Sequence, residues 1–444
     1  MSLKKMRENT AFLLRRKQMN KFPEGFLIGA STAAHQVEGN NIHSDYWTME
    51  QMRSTSFLEP SGDAVDHYNR YEEDINYLAE AGLNAYRFSI EWARIEPREG
   101  EFDEAEILHY EKMLDFCRAK GVEPIVTLHH FTSPKWLIER GGWESEETVE
   151  YFARYCGYVA EKLGHKLNYI CTINEANMGL QLSAIAKRYM KELIFGKKKD
   201  TDGKAQVGVN LQHMIENMKI AKGENLEVFG TEKLNSFVSS RSEQGDLLIA
   251  RAHVAAKEAI KRHAPHTKVG LTLSFHDMQP NKWGAHHARK EWYREFGHYL
   301  PYIKDDDFIG VQNYTRYEFG LFGQRDPAKD APLTQMKYEY YPEAIANVVR
   351  AVAKDFGGEI LVTENGIATA DDKERCRFIK TAMEGIEKCV SEGIKLRGYC
   401  HWSLLDNFEW QKGYAITFGL IAVDRATQKR YPKESLYLLG SYNK

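Results

Sequence analysis

Short apolar runs alternate with longer segments of mixed polarity along most of this chain. The run from Glu359 to Thr363 is one example, because three large apolar residues in succession lead to Glu364-Asn365-Gly366. A short apolar run bounded by an Asn-Gly turn is typical of a strand that is buried on both faces. Seven further short apolar runs are predicted strands as well. The eight predicted strands cover residues 25–32, 85–90, 124–130, 169–175, 268–274, 308–314, 359–366 and 396–402.

Between the predicted strands, apolar residues recur at spacings of three and four, which predicts amphipathic helices. The first helix carries Tyr68, Tyr71, Ile75 and Leu78 on one face and is followed by Gly82, a residue type that often ends helices. The predicted helices cover about residues 66–80, 103–120, 145–163, 244–263, 342–356 and 371–392. Because strands and helices alternate without an antiparallel hairpin signal, the sequence predicts an α/β fold, a single (β/α)8 TIM barrel with long βα loops.

Two segments, 187–235 and 316–340, show no such alternation and are predicted to be insertions in the loops of the barrel. An open, doubly wound sheet is the alternative architecture, but it usually binds a nucleotide through a glycine-rich loop. The chain has no G-x-G-x-x-G motif and no Walker-type lysine loop. The predicted organisation is therefore a charged tail over residues 1–20 and a single barrel domain over residues 21–444.

Composition narrows the possible functions. With 60 basic and 63 acidic residues, the net charge of −3 gives no overall field that would attract nucleic acid or an anionic membrane. No apolar stretch approaches the roughly 20 residues that span a bilayer, and the amino-terminal segment lacks the apolar core of a signal peptide. The six cysteines form no C-x-x-C pair and are expected to be reduced thiols in the core, so we expect a cytoplasmic protein.

In a parallel barrel the carboxyl ends of all strands meet at one rim, where the loops form the active site. Two glutamates lie at such ends, Glu175 after the fourth strand and Glu364 after the seventh. Hydrolysis of a glycosidic bond needs two carboxyl groups, about 5–5.5 Å apart in retaining enzymes and roughly 6.5–9.5 Å apart in inverting ones. Sequence spacing leaves these two cases open. The other candidates at the strand ends are Gln36, Glu38, Arg87, His130, Asn174, Asn313, Tyr314, Asn365 and Trp402.

Six motifs, in order along the chain, resemble those of glycoside hydrolase family 1, the retaining β-glucosidase-like barrels. The most specific are Thr172-Ile173-Asn174-Glu175, Val362-Thr363-Glu364-Asn365-Gly366 and Asn407-Phe408-Glu409-Trp410. The supporting motifs are Phe22-Pro23-Glu24-Gly25-Phe26, Ala34-His35-Gln36-Val37-Glu38-Gly39 and Tyr86-Arg87-Phe88-Ser89-Ile90. The resemblance extends from about Phe22 to Tyr442.

The resemblance implies that Glu364 is the catalytic nucleophile and that Glu175 is the acid/base. Arg87 and Tyr314 would stabilise the charged form of Glu364 and lower its pKa. Burial and a negative neighbour would instead raise the pKa of Glu175. Once Glu364 is glycosylated its charge disappears, so Glu175 can ionise and act as a base. Ala176 stands where the family usually has proline, which would loosen the turn after the acid/base.

The resemblance also implies a set of sugar-binding residues. Asn174 would bind the sugar 2-hydroxyl, and Trp402 would form an aromatic floor for the sugar ring. The sixth strand carries Gln312-Asn313-Tyr314 instead of the commoner Asn-Tyr-Tyr, which leaves open whether Gln312 or Asn313 contacts the sugar. The residues that match the family's hydroxyl-binding positions are Gln36, His130, Glu409 and Trp410.

The predicted function is hydrolysis of β-glucosides, with β-galactosides or β-fucosides as further candidates, without a metal or organic cofactor. The histidine pairs at 129–130 and 286–287 lack the acidic partners and spacing of metal motifs. One alternative is a 6-phospho-β-glucosidase, although such enzymes typically carry serine in place of Glu409, which would repel a phosphate. The other is a sugar-binding barrel without catalysis, which would need neither glutamate. The sequence leaves the oligomeric state open.

Overall fold

The computed structural model describes residues 22–194 and 206–443. The predicted charged tail over residues 1–20 lies outside the described residues, and so does part of the segment 187–235. Among the described helices, none is long and apolar enough to cross a membrane.

Eight parallel strands form a closed barrel in which neighbours along the chain are neighbours in the sheet. The first and last strands pair with each other and close the barrel. The predicted (β/α)8 architecture is therefore confirmed. The strands are β1 (Leu27–Ser31), β2 (Ala85–Ser89), β3 (Glu123–His129), β4 (Tyr169–Ile173), β5 (Lys268–Ser274), β6 (Phe308–Gln312), β7 (Glu359–Asn365) and β8 (Leu396–Trp402).

The main helices after the strands form the layer around the barrel, except that Ala285–Trp292 after β5 packs against a small outer sheet, and further helices lie in the loops. The outer helices are α1 (His67–Glu80), α2 (Glu104–Ala119), α3 (Glu147–Leu163), α4 (Glu243–His263), α5 (Ala285–Trp292), α6 (Ala344–Asp355), α7 (Asp372–Ser391) and α8 (Glu434–Gly440). The loop helices are Ala34–Val37, Asp45–Glu50, Trp92–Ile95, Lys135–Glu139, Met178–Ile194, Leu211–Glu216, Met218–Phe229 and Leu300–Ile303. The described part of the insertion 187–235 is thus largely helical.

Two strands end two residues earlier than their apolar patterns predict. β4 ends at Ile173 and β6 at Gln312, whereas the predictions extend to Glu175 and Tyr314. After β4 the reason is a sharp turn, because Glu175 has a φ of 42° in the left-handed region. The residues of this turn are buried, so burial alone cannot mark where the strand ends.

Two small sheets outside the barrel contradict the expectation that the chain has no antiparallel hairpin. Ile421–Asp424 pairs antiparallel with Lys429–Pro432, and Arg316–Gly320 pairs in the same way with Gly323–Gln324. The first hairpin lacks the Asn-Gly or Asp-Gly turn that sequence patterns detect. Its turn is held by the carboxylate of Asp424, which accepts from the amides two and three residues further along at 3.0 and 2.9 Å.

The barrel interior is apolar where the strands begin and polar where they end. A cluster of buried residues fills the first part: Leu27, Ala85, Ile125, Tyr169, Cys171, Phe308, Leu361 and Cys400. Because side chains alternate between the two faces of a strand, the residue two positions after Ala85 on β2 also faces the interior. That residue is Arg87, which is fully buried above the apolar layer. A cation is therefore fixed at the carboxyl end of the barrel.

A β-bulge in β7 brings Glu364 to the same interior. β7 pairs with β6 through Val362–Val311 and then through Glu364–Gln312, so β7 has one extra residue between these pairs. Leu361 faces the interior, and strict alternation would turn Glu364, three residues later, to the outside. The extra residue reverses the alternation, as bulges do next to active sites.

Arg430 fastens the carboxyl-terminal hairpin to the barrel wall. Its guanidinium donates to both oxygens of Asp74 in α1, at 2.8 and 3.0 Å, and both side chains are fully buried. Asp74 also contacts Nδ1 of His67 at 2.7 Å. Although burial alone would raise the pKa of Asp74, Arg430 and His67 hold this pKa below its usual value. Loss of the guanidinium would leave an unpaired charge in the core.

We expect Arg430→Ala to lower the free energy of unfolding by about 3–5 kcal/mol, because it removes one partner of a buried ion pair. Urea denaturation followed by circular dichroism measures this change, with Arg350→Ala as the matched control. Arg350 binds both oxygens of Glu392 at 2.7 Å, but both side chains are partly exposed. The control should lose no more than about 1 kcal/mol. Equal losses in the two variants would contradict the prediction.

Candidate active site

Both carboxylate oxygens of Glu364 are held by side chains from other strands of the barrel. Oε1 accepts from Nη1 of Arg87 at 2.6 Å and from Nε2 of Gln312 at 3.1 Å. Oε2 accepts from the hydroxyl of Tyr314 at 2.6 Å. The predicted contacts of Arg87 and Tyr314 with Glu364 are therefore present. All three contacts are donors, and they favour the ionised carboxylate because that form can only accept hydrogen bonds.

Asn174 bonds two of these donors, Arg87 and Gln312, and also contacts His130. Its Oδ1 accepts from Nη2 of Arg87 and from Nε2 of Gln312, both at 2.6 Å. Its Nδ2 lies 3.0 Å from Nε2 of His130 and donates to it. Burial and the charge of Arg87 lower the pKa of His130 well below its usual value, so the ring is neutral. Since Nε2 accepts, the ring hydrogen lies on Nδ1.

Glu175 follows β4 by two residues, and Thr272 on β5 fixes its backbone. The amide nitrogen of Glu175 donates to Oγ1 of Thr272 at 3.1 Å, and that of Ala176 donates to the carbonyl oxygen of Thr272. A proline could not make the second bond, so Ala176 adds a constraint to this turn instead of loosening it. Among the described residues, none bonds the buried Oε1 of Glu175.

Burial raises the pKa of both glutamates, but to different extents. The pKa of Glu175 lies well above its usual value, first because of burial and second because of the negative charge of Glu364. The pKa of Glu364 is also raised by burial, and Arg87 and Tyr314 offset part of the rise. The expected lowering for Glu364 is therefore wrong, because desolvation of a buried carboxylate outweighs these contacts. The expected rise for Glu175 is confirmed.

Side chains from several loops complete a cavity around the two glutamates. Of the predicted sugar-binding residues, all but Gln36 and Asn313 lie on its surface. The lining residues are His130, Phe131, Asn174, Glu175, Gln206, Val207, Tyr314, Tyr338, Glu364, Trp402, Glu409, Trp410 and Phe418.

Glu409 brings a third carboxyl group to the cavity, beside aromatic rings. Burial, followed by the charge of Glu364, raises the pKa of Glu409 to about 8. Its Oε2 has no partner in the described part of the chain. The ring of His130 lies 5.6 Å from that of Trp402 and 5.9 Å from that of Trp410, and both pairs are nearly parallel. The cavity thus combines polar atoms with flat apolar walls.

Gln36 lies next to the loop that carries Glu409. Its Nε2 donates to the carbonyl oxygen of Phe408 at 2.6 Å and to Oδ1 of Asn407 at 3.3 Å. Its Oε1 is buried and has no partner among the residues described. Gln36 therefore supports this loop and keeps one acceptor for another group.

Asn313, a predicted sugar-binding residue, does not line the cavity, although its buried Oδ1 has no partner among the described residues. Nδ2 of Asn313 donates to the carbonyl oxygens of Phe275 and Thr315, at 2.9 and 2.7 Å. Gln312 is the residue whose amide reaches Glu364. Gln312 ends β6 with its side chain in the barrel interior, so the next side chain turns away.

Several lining residues could not have been found from the sequence. Gln206 and Val207 come from the insertion 187–235, and Tyr338 comes from the insertion 316–340, where no pattern indicates a site. Phe131 directly follows His130, and this adjacency is the one signal that could have indicated it. The bends of the long loops, rather than strand periodicity, place these side chains.

His129, the first histidine of the 129–130 pair, belongs to the core. Nε2 of His129 lies 3.1 Å from Oγ of Ser133, and its ring packs against Trp143 and Phe237 at 4.7 Å each. Across the described ranges, no group of three His, Cys, Asp or Glu side chains is arranged to hold a metal ion.

Comparison with known proteins shows similarity along nearly the whole chain. The family model for glycosyl hydrolase family 1 matches residues 18–227 and 296–444. "Beta-glucosidase A" of Thermotoga maritima is 31% identical, over 94% of this chain and 97% of the relative. A 6-phospho-beta-galactosidase of Staphylococcus haemolyticus is 27% identical over the same shares.

A solved structure supports the same relationship. The crystal structure of beta-glycosidase BGL167 superposes with a TM-score of 0.83 and 42% identity, over 96% of this chain and 97% of that one. Family model, sequence relatives and three-dimensional likeness all indicate the same family. The chain therefore belongs to glycosyl hydrolase family 1 and is a retaining β-glycosidase.

Proposed function

We propose that the enzyme hydrolyses β-glucosides, with Glu364 as the nucleophile and Glu175 as the general acid/base. This assignment rests on the different hydrogen bonding of the two buried carboxyl groups. Glu364 has both oxygens bonded to donors, whereas no described residue bonds Oε1 of Glu175 and its pKa is raised further. One group is kept ionised for attack, and the other is kept protonated for donation.

In the first step a carboxylate oxygen of Glu364 attacks the anomeric carbon. The bond between that carbon and the leaving oxygen breaks, and the proton of Glu175 moves to the leaving oxygen. Arg87 and Tyr314 hold the carboxylate, so little motion is needed before attack. The product of this step is a glycosyl ester on Glu364 with inverted configuration.

In the second step the ester has no negative charge. This removes one of the two main causes of the raised pKa of Glu175, so Glu175 ionises more readily and accepts a proton from water. The water oxygen attacks the anomeric carbon, and Glu364 leaves as a carboxylate. Two inversions give net retention.

Sugar binding is proposed to rest on buried polar atoms that have no partner among the described residues. Such atoms are costly unless a ligand or water satisfies them, and sugar hydroxyls can both donate and accept. A site built in this way rejects analogues that lack a hydroxyl. These atoms are Oε1 of Gln36, Nδ1 of His130, Oε1 of Gln312 and Oε2 of Glu409.

Two more proposed contacts follow the family resemblance. Asn174 would bind the 2-hydroxyl, because Arg87 and Gln312 fix its amide beside the nucleophile. Trp402 would stack against the apolar face of the sugar, since its ring lines the cavity next to His130.

An unphosphorylated sugar fits the cavity better than a 6-phosphosugar. The described lining residues include three glutamates but no lysine or arginine, and a bound phosphate usually needs such a cation. The relative from Thermotoga maritima is named a beta-glucosidase, which agrees with this preference. A barrel that only binds sugar is disfavoured, because both glutamates are present and oriented.

We also propose that the enzyme works in a reducing compartment such as the cytoplasm. All six cysteines are free and buried, and free thiols are typical of such compartments.

One prediction from this mechanism concerns the pKa of Glu175. We expect this pKa to be lower in Glu364→Gln than in the wild type, because the charge of Glu364 raises it. Nuclear magnetic resonance of 13C-labelled glutamate carboxyl groups measures it, with Glu175→Gln for assignment. Glu359→Gln is the control, because it removes a carboxylate at the opposite end of β7. An unchanged or higher pKa in Glu364→Gln would contradict the proposal.

The second prediction concerns the substrate. The kcat/KM for 4-nitrophenyl β-glucoside should exceed that for its 6-phosphate at least about 100-fold, because unfavourable charge contacts cost several kcal/mol. The ratio should widen as the pH rises past about 8, where Glu409 becomes ionised. In Glu409→Gln this widening should be absent. A preference for the phosphorylated substrate would overturn the proposed specificity.

A further inference from the structure

Residues 206–210 form a strap across the rim of the cavity. One end is fixed by Gln206, which lies near the carboxyl ends of β5 and β6. The other end is fixed by Gln411 in the loop after β8. The backbone nitrogen of Gln411 donates to the carbonyl oxygen of Gly208 at 2.9 Å, and its side-chain Oε1 accepts from the backbone nitrogen of Asn210 at 2.6 Å. Of the strap, Gln206 and Val207 line the cavity, whereas Val209 does not.

The side-chain amide of Gln206 makes three hydrogen bonds. Its Oε1 accepts from the backbone nitrogen of Tyr314 at 2.7 Å. Its Nε2 donates to Oγ of Ser274 at 3.0 Å and to the carbonyl oxygen of Phe275 at 2.9 Å. Gln206 is buried, and a buried amide is costly unless such bonds are made. A passive wall would not need this polar group.

Gln206 bonds the backbone of Tyr314 and the hydroxyl of Ser274, and each of these two residues acts on one glutamate. Tyr314 donates its hydroxyl hydrogen to Oε2 of Glu364 at 2.6 Å. Ser274 lies beside the turn that carries Glu175, because its backbone nitrogen and carbonyl oxygen bond the side chain of Asn177 at 3.0 and 2.7 Å. Burial raises the pKa of Glu175, and Ser274 lowers it. Since Oγ of Ser274 accepts from Gln206, its own hydrogen is free to point to Glu175.

We propose that Gln206 is a positioning residue that fixes Tyr314 against the nucleophile and Ser274 against the acid/base. This inference rests on the proposed roles of Glu364 and Glu175. It gives the insertion 187–235 a part in catalysis itself. The competing interpretation is that the strap only walls the site of the leaving group, in which case Gln206 affects the fit of the aglycone alone.

The test compares Gln206→Met with the wild type on aryl β-glucosides of different leaving-group size. Methionine has a similar length but makes none of the three bonds. We expect kcat to fall on the order of 10- to 100-fold for every substrate, as misplacement of reacting groups does. The alkaline limb of the pH profile of kcat/KM should move to higher pH, because Ser274 no longer lowers the pKa of Glu175.

Ser274→Ala isolates the branch of the network that reaches Glu175. It removes only a hydroxyl, so it remains informative if Gln206→Met does not fold. Its pH profile should shift in the same direction. The double variant should lose less activity than the product of the two single losses, because both remove the same interaction.

Val209→Ala is the matched control, because this residue lies in the strap but its side chain has no polar atom to hold Ser274 or Tyr314. It should keep the wild-type kcat and pH profile. The proposal is overturned if Gln206→Met or Ser274→Ala keeps both the wild-type kcat and the wild-type pH profile. It is also overturned if the only effect of Gln206→Met is a higher KM for bulky leaving groups. An inactive wild type would instead count against the proposed function.

Discussion

The buried ion pair of Arg87 and Glu364 constrains the rest of the site. A carboxylate in the interior of a barrel costs several kcal/mol unless cations and donors surround it. Nη1 of Arg87 donates to the carboxylate of Glu364, and Nη2 donates to Oδ1 of Asn174. The orientation of Asn174 then decides which nitrogen of His130 carries the hydrogen. Arg87 therefore fixes the carboxylate of Glu364 directly and, through the amide of Asn174, the position of the hydrogen on His130.

The barrel makes this arrangement possible by separating an apolar base from a polar rim. The apolar cluster at the beginning of the strands excludes water beneath Arg87, and electrostatic interactions in such surroundings are stronger than in water. The bulge in β7 then turns Glu364 inward at the height of Arg87. Because Glu175 is buried near the same charge, its pKa depends on whether Glu364 is free or esterified. That dependence lets one residue serve first as acid and then as base.

The sequence predicted those parts of the molecule that follow from periodicity or from motifs. The eight strands, six of the eight outer helices, Glu175, Glu364 and Arg87 are of this kind, since each strand leaves a recognisable apolar run with a polar end. Asn313 was predicted to line the cavity but does not, because the end of β6 could not be located to one residue and a shift of one reverses the face. The predicted lowering of the pKa of Glu364 was wrong because the prediction considered the contacts with Arg87 and Tyr314 and left out the cost of burial. Gln206 was missed because nothing in the insertion links it to strands far away in the chain.

The central claim is that Glu364 forms the covalent bond to the sugar. A 2-deoxy-2-fluoro-β-glucosyl fluoride tests it directly, because the fluorine at carbon 2 slows breakdown of the ester while the good leaving group allows it to form. After digestion, mass spectrometry should find one fluoroglucosyl group on the peptide that contains Glu364. A label on Glu175 or Glu409, or no label while the enzyme turns over unmodified glucosides, would contradict the account.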